Sequence, residues 1–205
     1  MHYRFLKKEK KPDIIVILGD TLHTFRTVKL DPLKLAESFF TRLSEIAPLK
    51  VLVGNHDRRN NKDFLTPYHP FVFAEHNKKK IEIVWKTEAI KIKGCTFVFV
   101  PYVFPGRFQE AIDSYEGEVD ISEPTCYFAH QEFKGAHMGS FVSEDGDEWN
   151  VDRPLIISGH IHGYQRLQKN IIYPGTPDQK NFGESMDKGI MYLNITSDGK
   201  FRFNR

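Results

Sequence analysis

Two histidines separated by one residue, His160 and His162, are the residues of this chain best suited to bind a metal. They follow a short aliphatic run, Leu155–Ile157, that is typical of a buried strand. Gly159 precedes the pair and Gly163 follows it. These glycines let the backbone leave strand geometry, so both imidazoles could converge at one loop. Histidine is the commonest protein metal ligand near neutral pH. The pair therefore predicts a metal centre, and two surface or hydrogen-bonded histidines are the alternative interpretation.

Three more aliphatic runs end in polar residues in the same way. They are Ile14–Leu18 before Gly19 and Asp20, Val51–Val53 before Gly54, Asn55, His56 and Asp57, and Cys126–Ala129 before His130. Open α/β sheets place their ligands at the carboxyl ends of the strands. We therefore expect Asp20, Asn55, His130, His160 and His162 to lie close together. Carboxylate, amide and imidazole donors suit manganese, iron or zinc, whereas a structural zinc site would normally use cysteines.

Length and composition predict one soluble domain spanning residues 1–205. Apolar residues make up 40% of the chain and charged residues 27%, which is ordinary for a globular protein. The formal net charge of +2 neither requires nor excludes a nucleic-acid partner. The two cysteines, Cys95 and Cys126, have no metal-site or disulfide spacing. We expect a cytoplasmic or other reducing compartment, no secretion and no membrane partner, because neither a signal peptide nor a membrane-spanning apolar run is recognisable.

The elements that must position these residues predict an α/β (α+β) fold. Residues 3–10 are predicted to end a helix, and a second helix is expected to begin with Asp31 as its N-cap and Pro32 in its first turn. Its apolar face is predicted to be Leu35, Phe39, Leu43 and Ile46. The middle of the chain predicts three strands with a turn at Lys93–Gly94, and residues 190–203 predict a closing hairpin with a turn at Asp198–Gly199.

The ordered strand-end motifs resemble those of the calcineurin-like metallophosphoesterase family across nearly the whole chain. The matching motifs are Gly19–Asp20, Gly54–Asp57, His130 and Gly159–His162. The resemblance implies a β-sandwich flanked by helices, with two divalent metal ions at one sheet edge, manganese first and iron or zinc as alternatives. It further implies ligand roles for five residues: Asp20 bridges both ions, Asn55, His130 and His160 complete one of them, and His162 serves the other.

The same resemblance implies phosphodiester hydrolysis by a hydroxide that bridges the two metals. His56 would face the substrate and either protonate the leaving oxygen or stabilise the transition state, and His23 would be a second histidine facing the substrate. Asp57 would orient His56 or cap its loop. Arg58 and Arg59 would hold substrate phosphates, unless they belong to a solvated loop.

A finer similarity points towards DNA. Tyr173–Thr176 followed by Phe182–Glu184 is similar to a stretch in the nuclease subunits of SbcCD-type DNA repair complexes and their phage relatives. This similarity implies a manganese-dependent nuclease, with DNA and an SbcC-type ATPase subunit as partners. A small-molecule phosphodiesterase is an alternative within the same chemistry.

The family pattern opens with an Asp-x-His motif on a first strand, and this chain has no such motif. We therefore expect a domain that is N-terminally truncated relative to the family and lacks that strand. The metal site of His162 would then keep only Asp20 and His162. We expect weak or no two-metal hydrolysis from residues 1–205, and a degenerate, non-catalytic binding module with one intact metal site is the alternative to an enzyme.

Overall fold

The computed structural model describes residues 11–23, 27–77, 80–180 and 182–205. The helix predicted over residues 3–10 lies outside these described residues. The described part contains two α-helices, α1 (Leu30–Ser44) and α2 (Phe108–Asp113), and a 3₁₀ helix at Val72–Asn77. The remaining regular structure is β, so the chain has a mixed α/β fold with few helices.

A small parallel sheet carries the first two candidate site loops. It consists of β1 (Ile15–Ile17), β2 (Leu49–Leu52) and β3 (Ile81–Val84), in that order. Ile15 lies opposite Leu49 across the first pair of strands. Within the described residues, β1 is therefore an edge strand of this sheet.

A larger mixed sheet carries the other candidate site loops. Its strands are β4 (Glu88–Ile92), β5 (Cys95–Val100), β6 (Cys126–Ala129), β9 (Leu155–Ser158), β10 (Gln165–Gln168) and β11 (Ile171–Tyr173). Their order is β10-β11-β9-β6-β5-β4, with β4 and β10 antiparallel to their neighbours. Strands β5, β6, β9 and β11 run parallel, so their carboxyl ends meet at one edge.

Two small hairpins complete the fold. One joins β7 (His137–Met138) to β8 (Phe141–Val142), and the other joins β12 (Tyr192–Ile195) to β13 (Phe201–Asn204). The second confirms the predicted closing hairpin. The predicted turn between β4 and β5 is also confirmed, with Lys93 at φ 50° and Gly94 at φ 82°, the left-handed conformation that favours tight hairpin turns.

One apolar cluster contains buried side chains from both sheets. Leu52 and Val84 of the small sheet share it with Phe99 and Ile157 of the large sheet. The buried Lys50 of β2 reinforces this junction, because its ammonium group pairs with Glu82 on β3 and with Glu88 on β4, the latter at 2.8 Å. Burial of aliphatic and aromatic side chains between the sheets fixes their relative placement, and so brings their loop edges together.

The predicted apolar face of α1 is wrong at its N-terminal half. Leu43 and Ile46 are buried as predicted, but Leu35 and Phe39 are exposed, and Ala36 and Phe40 are buried in their place. Two apolar stripes run along this helix at helical spacing, and the Phe40 ring selects the buried one by packing edge-on against Phe71, at 5.3 Å between centroids. The predicted N-cap is also wrong. Lys29 occupies that position without a side-chain cap, and Asp31 lies in the first turn, where its charge complements the helix dipole.

Candidate metal centre

Four strand ends deliver their polar residues to one place. Asp20 follows β1 and Asn55 follows β2, while His130 directly follows β6 and His160 follows β9. Asp20 and His160 both have positive φ, at 53° and 76°, a conformation that is unusual for residues other than glycine. The strain of order 1–3 kcal/mol that this conformation stores is typical of functional sites. The backbone therefore turns at these two residues themselves, and the turns aim their side chains into the site.

The donor atoms of these four residues lie in mutual contact. The Asn55 Oδ1 atom is 3.0 Å from His130 Nε2 and 3.0 Å from His160 Nδ1. The His130 Nε2 atom is 3.3 Å from both Asp20 Oδ2 and His160 Nδ1. One ligand atom each from Asp20, His130 and His160 falls within a group whose members are all within 4.8 Å of one another. A carboxylate, an amide oxygen and two imidazoles converging in this way fit one divalent cation.

Two glycines permit this close approach. A Cβ atom on Gly54 would lie 2.2 Å from Asp20 Oδ1, and a Cβ atom on Gly19 would lie 2.4 Å from His130 Nδ1. Gly19 also has φ 93°. The glycines before Asp20 and Asn55 are therefore required by the packing of the site, because side chains there would occupy the positions of two ligands.

Asp57 ties the first two loops together. Its carboxylate accepts N–H groups from Leu22 at 2.9 Å, Gly54 at 3.1 Å and Thr21 at 3.2 Å. The side chain is buried, and burial, together with the charge of Asp20, raises the pKa of Asp57 to about 6. Of the two roles considered for Asp57, the structure shows the loop cap.

The donors have complementary protonation states. Burial would raise the pKa of Asp20, but the charge and hydrogen bond of His130, with the His56 N–H, lower it to about 2. Burial opposes a charge on His130, yet Asp20 holds the pKa of His130 above its ordinary value. Burial and the charge of His130 lower the pKa of His160 to about 3. His160 is therefore a neutral imidazole with a lone pair to offer, and a cation would compete with a proton only at His130.

The low pKa of His160 predicts a pH-dependent cost in the metal-free chain. Its folded pKa lies below the unfolded value of about 6.5, so its contribution to stability is present at neutral pH and is lost as the pH falls. Between pH 7 and pH 5 this loss is about 2 kcal/mol. In urea unfolding with a chelator, the stability difference between wild type and His160→Asn should shift by that amount, in favour of the variant at pH 5. The exposed His137→Asn should show no such shift, and a parallel pH profile for wild type and His160→Asn would contradict the prediction.

His56 and His23 form a stacked pair beside the donor group. Their ring centroids are 5.3 Å apart and their planes differ by 18°. The His56 Nδ1 atom is 3.1 Å from the His23 carbonyl oxygen, and the His56 backbone N–H donates to Asp20 Oδ1 at 2.9 Å. The two histidines predicted to face the substrate are thus brought together next to a predicted ligand.

His162 lies outside the group formed by Asp20, His130 and His160. Its Nδ1 atom contacts Glu184 Oε1 at 2.8 Å, and Glu184 also accepts from Lys188 at 2.8 Å. Hydrogen bonds from Lys188, the Lys180 backbone N–H and His162 lower the pKa of Glu184 to about 2. Glu184 belongs to the stretch that is similar to SbcCD-type nuclease subunits. This stretch therefore contacts His162, the second histidine of the Gly159–His162 (GHIH) motif.

Arg58 is placed differently from the predicted phosphate contact. Its side chain is buried, and its guanidinium donates to the carbonyl oxygens of Tyr102, at 2.7 Å, and Asp63. Arg58 anchors the loop that follows the Gly54–Asp57 (GNHD) motif, because its guanidinium faces the protein interior. Arg59 is exposed, stacks over the Tyr68 ring at 4.7 Å and pairs with Asp63 at 2.7 Å.

Sequence reasoning missed two neighbours of the donor group. The Tyr102 ring stacks on His160 with 6.0 Å between centroids and meets His130 edge-on at 6.1 Å. Glu132 Oε2 lies 3.5 Å from His160 Nε2. Glu132 stands two residues after His130, and that proximity to a predicted ligand was the only available sequence signal.

The strand-end donor group has the composition of a metal-binding site. A family model described as "Calcineurin-like phosphoesterase" matches residues 2–164, and the chain belongs to that family. It is 46% identical over 181 residues to "Putative phosphoesterase 244L" of Invertebrate iridescent virus 6, with 88% of this chain and 64% of the relative covered. It is 42% identical over 192 residues to "Putative phosphoesterase 078R" of Invertebrate iridescent virus 3, covering 94% of this chain and 55% of the relative.

A more distant relative is "Uncharacterized protein R555" of Acanthamoeba polyphaga mimivirus, which is 24% identical over 215 residues, with 90% of this chain and 14% of the relative covered. The chain thus spans 64% and 55% of the length of the two more similar viral relatives. None of the helices in the described ranges has the length and apolar character needed to cross a membrane.

Proposed function

We propose that the protein is a metal-dependent phosphodiesterase that acts on DNA. The observation that carries the proposal is the convergence of Asp20, Asn55, His130 and His160 from two sheets on one point. Membership of the calcineurin-like phosphoesterase family supports phosphoester hydrolysis. The apolar cluster shared by the two sheets supports the sandwich architecture expected for this family.

Asp20, Asn55, His130 and His160 would hold one divalent cation, with manganese as the first choice and iron or zinc as alternatives. His162 and Asp20 would contribute to a second. When bound, such cations neutralise the charge of a phosphoryl group and activate water for attack. The protein's own part is to hold four donors in place through the loops after β1, β2, β6 and β9, so that no reorganisation is needed when charge develops.

His56 is the proposed proton donor. The contact between its Nδ1 atom and the His23 carbonyl places a proton on Nδ1, because a carbonyl oxygen can only accept. In the imidazolium form the second proton is on Nε2, and this proton would pass to the leaving oxygen and leave a neutral ring protonated on Nδ1. Stacking on His23 holds the imidazole in this orientation. The exposed Arg59 is the proposed phosphate contact.

DNA is preferred over small phosphodiesters because of the segment that contains Glu184. Tyr173–Thr176 and Phe182–Glu184 form the stretch similar to SbcCD-type nuclease subunits, and its Glu184 contacts His162. An SbcC-type ATPase partner and a role in DNA repair are proposed on the same similarity. A reducing compartment is proposed because Cys95 and Cys126 are both free thiols.

The test is a manganese assay of the 205-residue chain at high protein concentration. Duplex DNA, single-stranded DNA and bis-p-nitrophenyl phosphate would be compared, with chelator and His137→Ala controls. Slow, manganese-dependent cleavage that favours DNA supports the proposal. Cleavage of the small ester alone would overturn the DNA assignment in favour of a small-molecule phosphodiesterase. Metal binding without cleavage of any substrate would overturn the enzyme in favour of a binding module.

The same preparation tests metal stoichiometry. His162 lies apart from the close donor group, so we expect calorimetry to show one tightly bound Mn²⁺ per chain. Two tight sites with rapid turnover would contradict this expectation.

A further inference from the structure

His130, His160 and His162 share one feature. Each has a ring nitrogen that faces a carbonyl or carboxylate oxygen. The His130 Nδ1 atom contacts the Leu18 carbonyl at 2.5 Å, and its Nε2 atom faces Asn55 and Asp20. When one nitrogen of a neutral imidazole donates its proton to an oxygen, the other ring nitrogen carries the lone pair.

His160 has an oxygen near each ring nitrogen. Its Nδ1 atom lies 3.0 Å from Asn55 Oδ1 and 3.3 Å from His130 Nε2, and its Nε2 atom lies 3.5 Å from Glu132 Oε2. A cation held by Asn55 and His160 Nδ1 would leave Nε2 as the protonated nitrogen that faces Glu132. His162 has the arrangement of His130, because its Nδ1 atom contacts Glu184 at 2.8 Å. The two histidines of the GHIH motif therefore have carboxylate partners on opposite ring nitrogens.

We propose that Glu132 and Glu184 are positioning residues that set which nitrogen each histidine presents: Nδ1 for His160 and Nε2 for His162. The proposal rests on the proposed metal site. It adds two carboxylates to that site and specifies opposite tautomers for the histidine pair. Such partners orient metal-binding histidines and increase their basicity, and losing one costs about 10- to 100-fold in metal affinity.

The backbone around Glu132 is built to hold one orientation. The Gln131 N–H donates to Ser158 Oγ at 2.9 Å, the Phe133 N–H donates to the Tyr173 hydroxyl at 2.9 Å, and that hydroxyl donates to the Gln131 carbonyl at 3.1 Å. The Glu132 carbonyl accepts the Asp147 N–H at 3.0 Å. Because the residues on both sides of Glu132 are clamped, its side chain is directed to one place.

Glu184 is held by two groups, and one of them also holds the loop of His162. It accepts from Lys188 Nζ at 2.8 Å and from the Lys180 N–H at 3.0 Å. Lys188 Nζ in turn donates to the His162 carbonyl at 2.9 Å and to Thr176 Oγ1 at 2.8 Å. Both the ring and the backbone of His162 are therefore tied to residues 176–188.

Burial separates these contacts from ordinary surface ion pairs. The side chains of Glu132 and Glu184 are 18% and 14% exposed, and that of Lys188 is 7% exposed. Exposed pairs contribute little because water screens them and their side chains move. These three side chains are largely removed from water. The His162 side chain is 46% exposed, so its contact depends on Glu184 being held in place by Lys188 and the Lys180 N–H.

The test combines ring NMR with metal affinity. In the ¹⁵N-histidine-labelled chain at pH 8, we expect His162 as the Nδ1–H tautomer without metal. We expect His160 as the Nε2–H tautomer once diamagnetic Zn²⁺ is bound, because the cation would then take the Nδ1 lone pair that faces Asn55 Oδ1 at 3.0 Å. Glu132→Ala should weaken Mn²⁺ binding by Asp20, Asn55, His130 and His160 about 10- to 100-fold. It should also leave His160 as a mixture of its two tautomers. Glu132→Gln should recover most of both properties, because its amide oxygen still accepts the N–H. Glu184→Ala should mix only the His162 tautomers.

Glu148→Ala and Asp178→Ala remove exposed carboxylates from the neighbouring segments and should change neither readout. The opposite tautomer of either histidine in wild type, or unchanged tautomers and affinity in Glu132→Ala, would overturn the inference. Thermal melting of each variant shows that it is folded, and Glu132→Gln decides the outcome if Glu132→Ala is not. Because tautomers are read without turnover, predicted tautomers in a chain that cleaves no substrate would overturn the proposed function and leave the inference standing.

Discussion

Replacing Asp20 by asparagine is expected to abolish tight Mn²⁺ binding and to bring the slow Mn²⁺-dependent hydrolysis expected of residues 1–205 down to the metal-free background. The substitution keeps an oxygen for the His56 N–H, which now bonds to Asp20 Oδ1 at 2.9 Å. It removes the only carboxylate in the close donor group of the described residues. The effect is therefore assigned to lost negative charge, with the loop geometry retained.

Calorimetric titration with Mn²⁺ and hydrolysis of bis-p-nitrophenyl phosphate measure the two effects. Asp152→Asn, at an exposed aspartate far along the chain, is the matched control and should bind and cleave like wild type. Tight metal binding by a folded Asp20→Asn would remove Asp20 from the site, and with it the central claim about the donor group.

The largest expected effect on stability comes from Asp57. Asp57→Ala should lower the free energy of unfolding by about 3–4 kcal/mol, because it leaves the N–H groups of Thr21, Leu22 and Gly54 without their acceptor. A buried unpaired donor costs about 1–3 kcal/mol. Urea denaturation measures the loss, and metal affinity should fall as well, since Asp57 holds the Asp20 and Asn55 loops together.

Asp57→Asn keeps one acceptor oxygen and should fall between wild type and Asp57→Ala. Asp63→Ala, on the same loop, removes a carboxylate that is ion-paired with Arg59 and should cost less than about 1 kcal/mol. Equal stability of Asp57→Ala and Asp63→Ala would show that the buried cap contributes little.

Strand placement was largely predictable from local sequence. The aliphatic runs before Asp20, Asn55, His130 and His160 gave strands of the predicted type because β-branched and aromatic residues favour a pleated, buried surface. The Lys93–Gly94 turn was predictable for a similar reason, since its conformation depends on two adjacent residues.

The buried face of α1 was decided by its surroundings. Leu35 and Phe39 have the same helical spacing as Ala36 and Phe40, so periodicity alone cannot choose between the stripes. The contact of Phe40 with Phe71 made the choice, and it joins residues that are far apart in the chain.

The residue types at the strand ends, and with them the chemistry of the donor group, could be read from the chain alone. That Glu132 lies beside His160, that Glu184 contacts His162 and that Arg58 points inward became visible only in the folded protein. The difference is one of distance along the chain. Strand formation and turn conformation depend on neighbouring residues, whereas hydrogen-bond partners and burial depend on which distant segments the two packed sheets bring together.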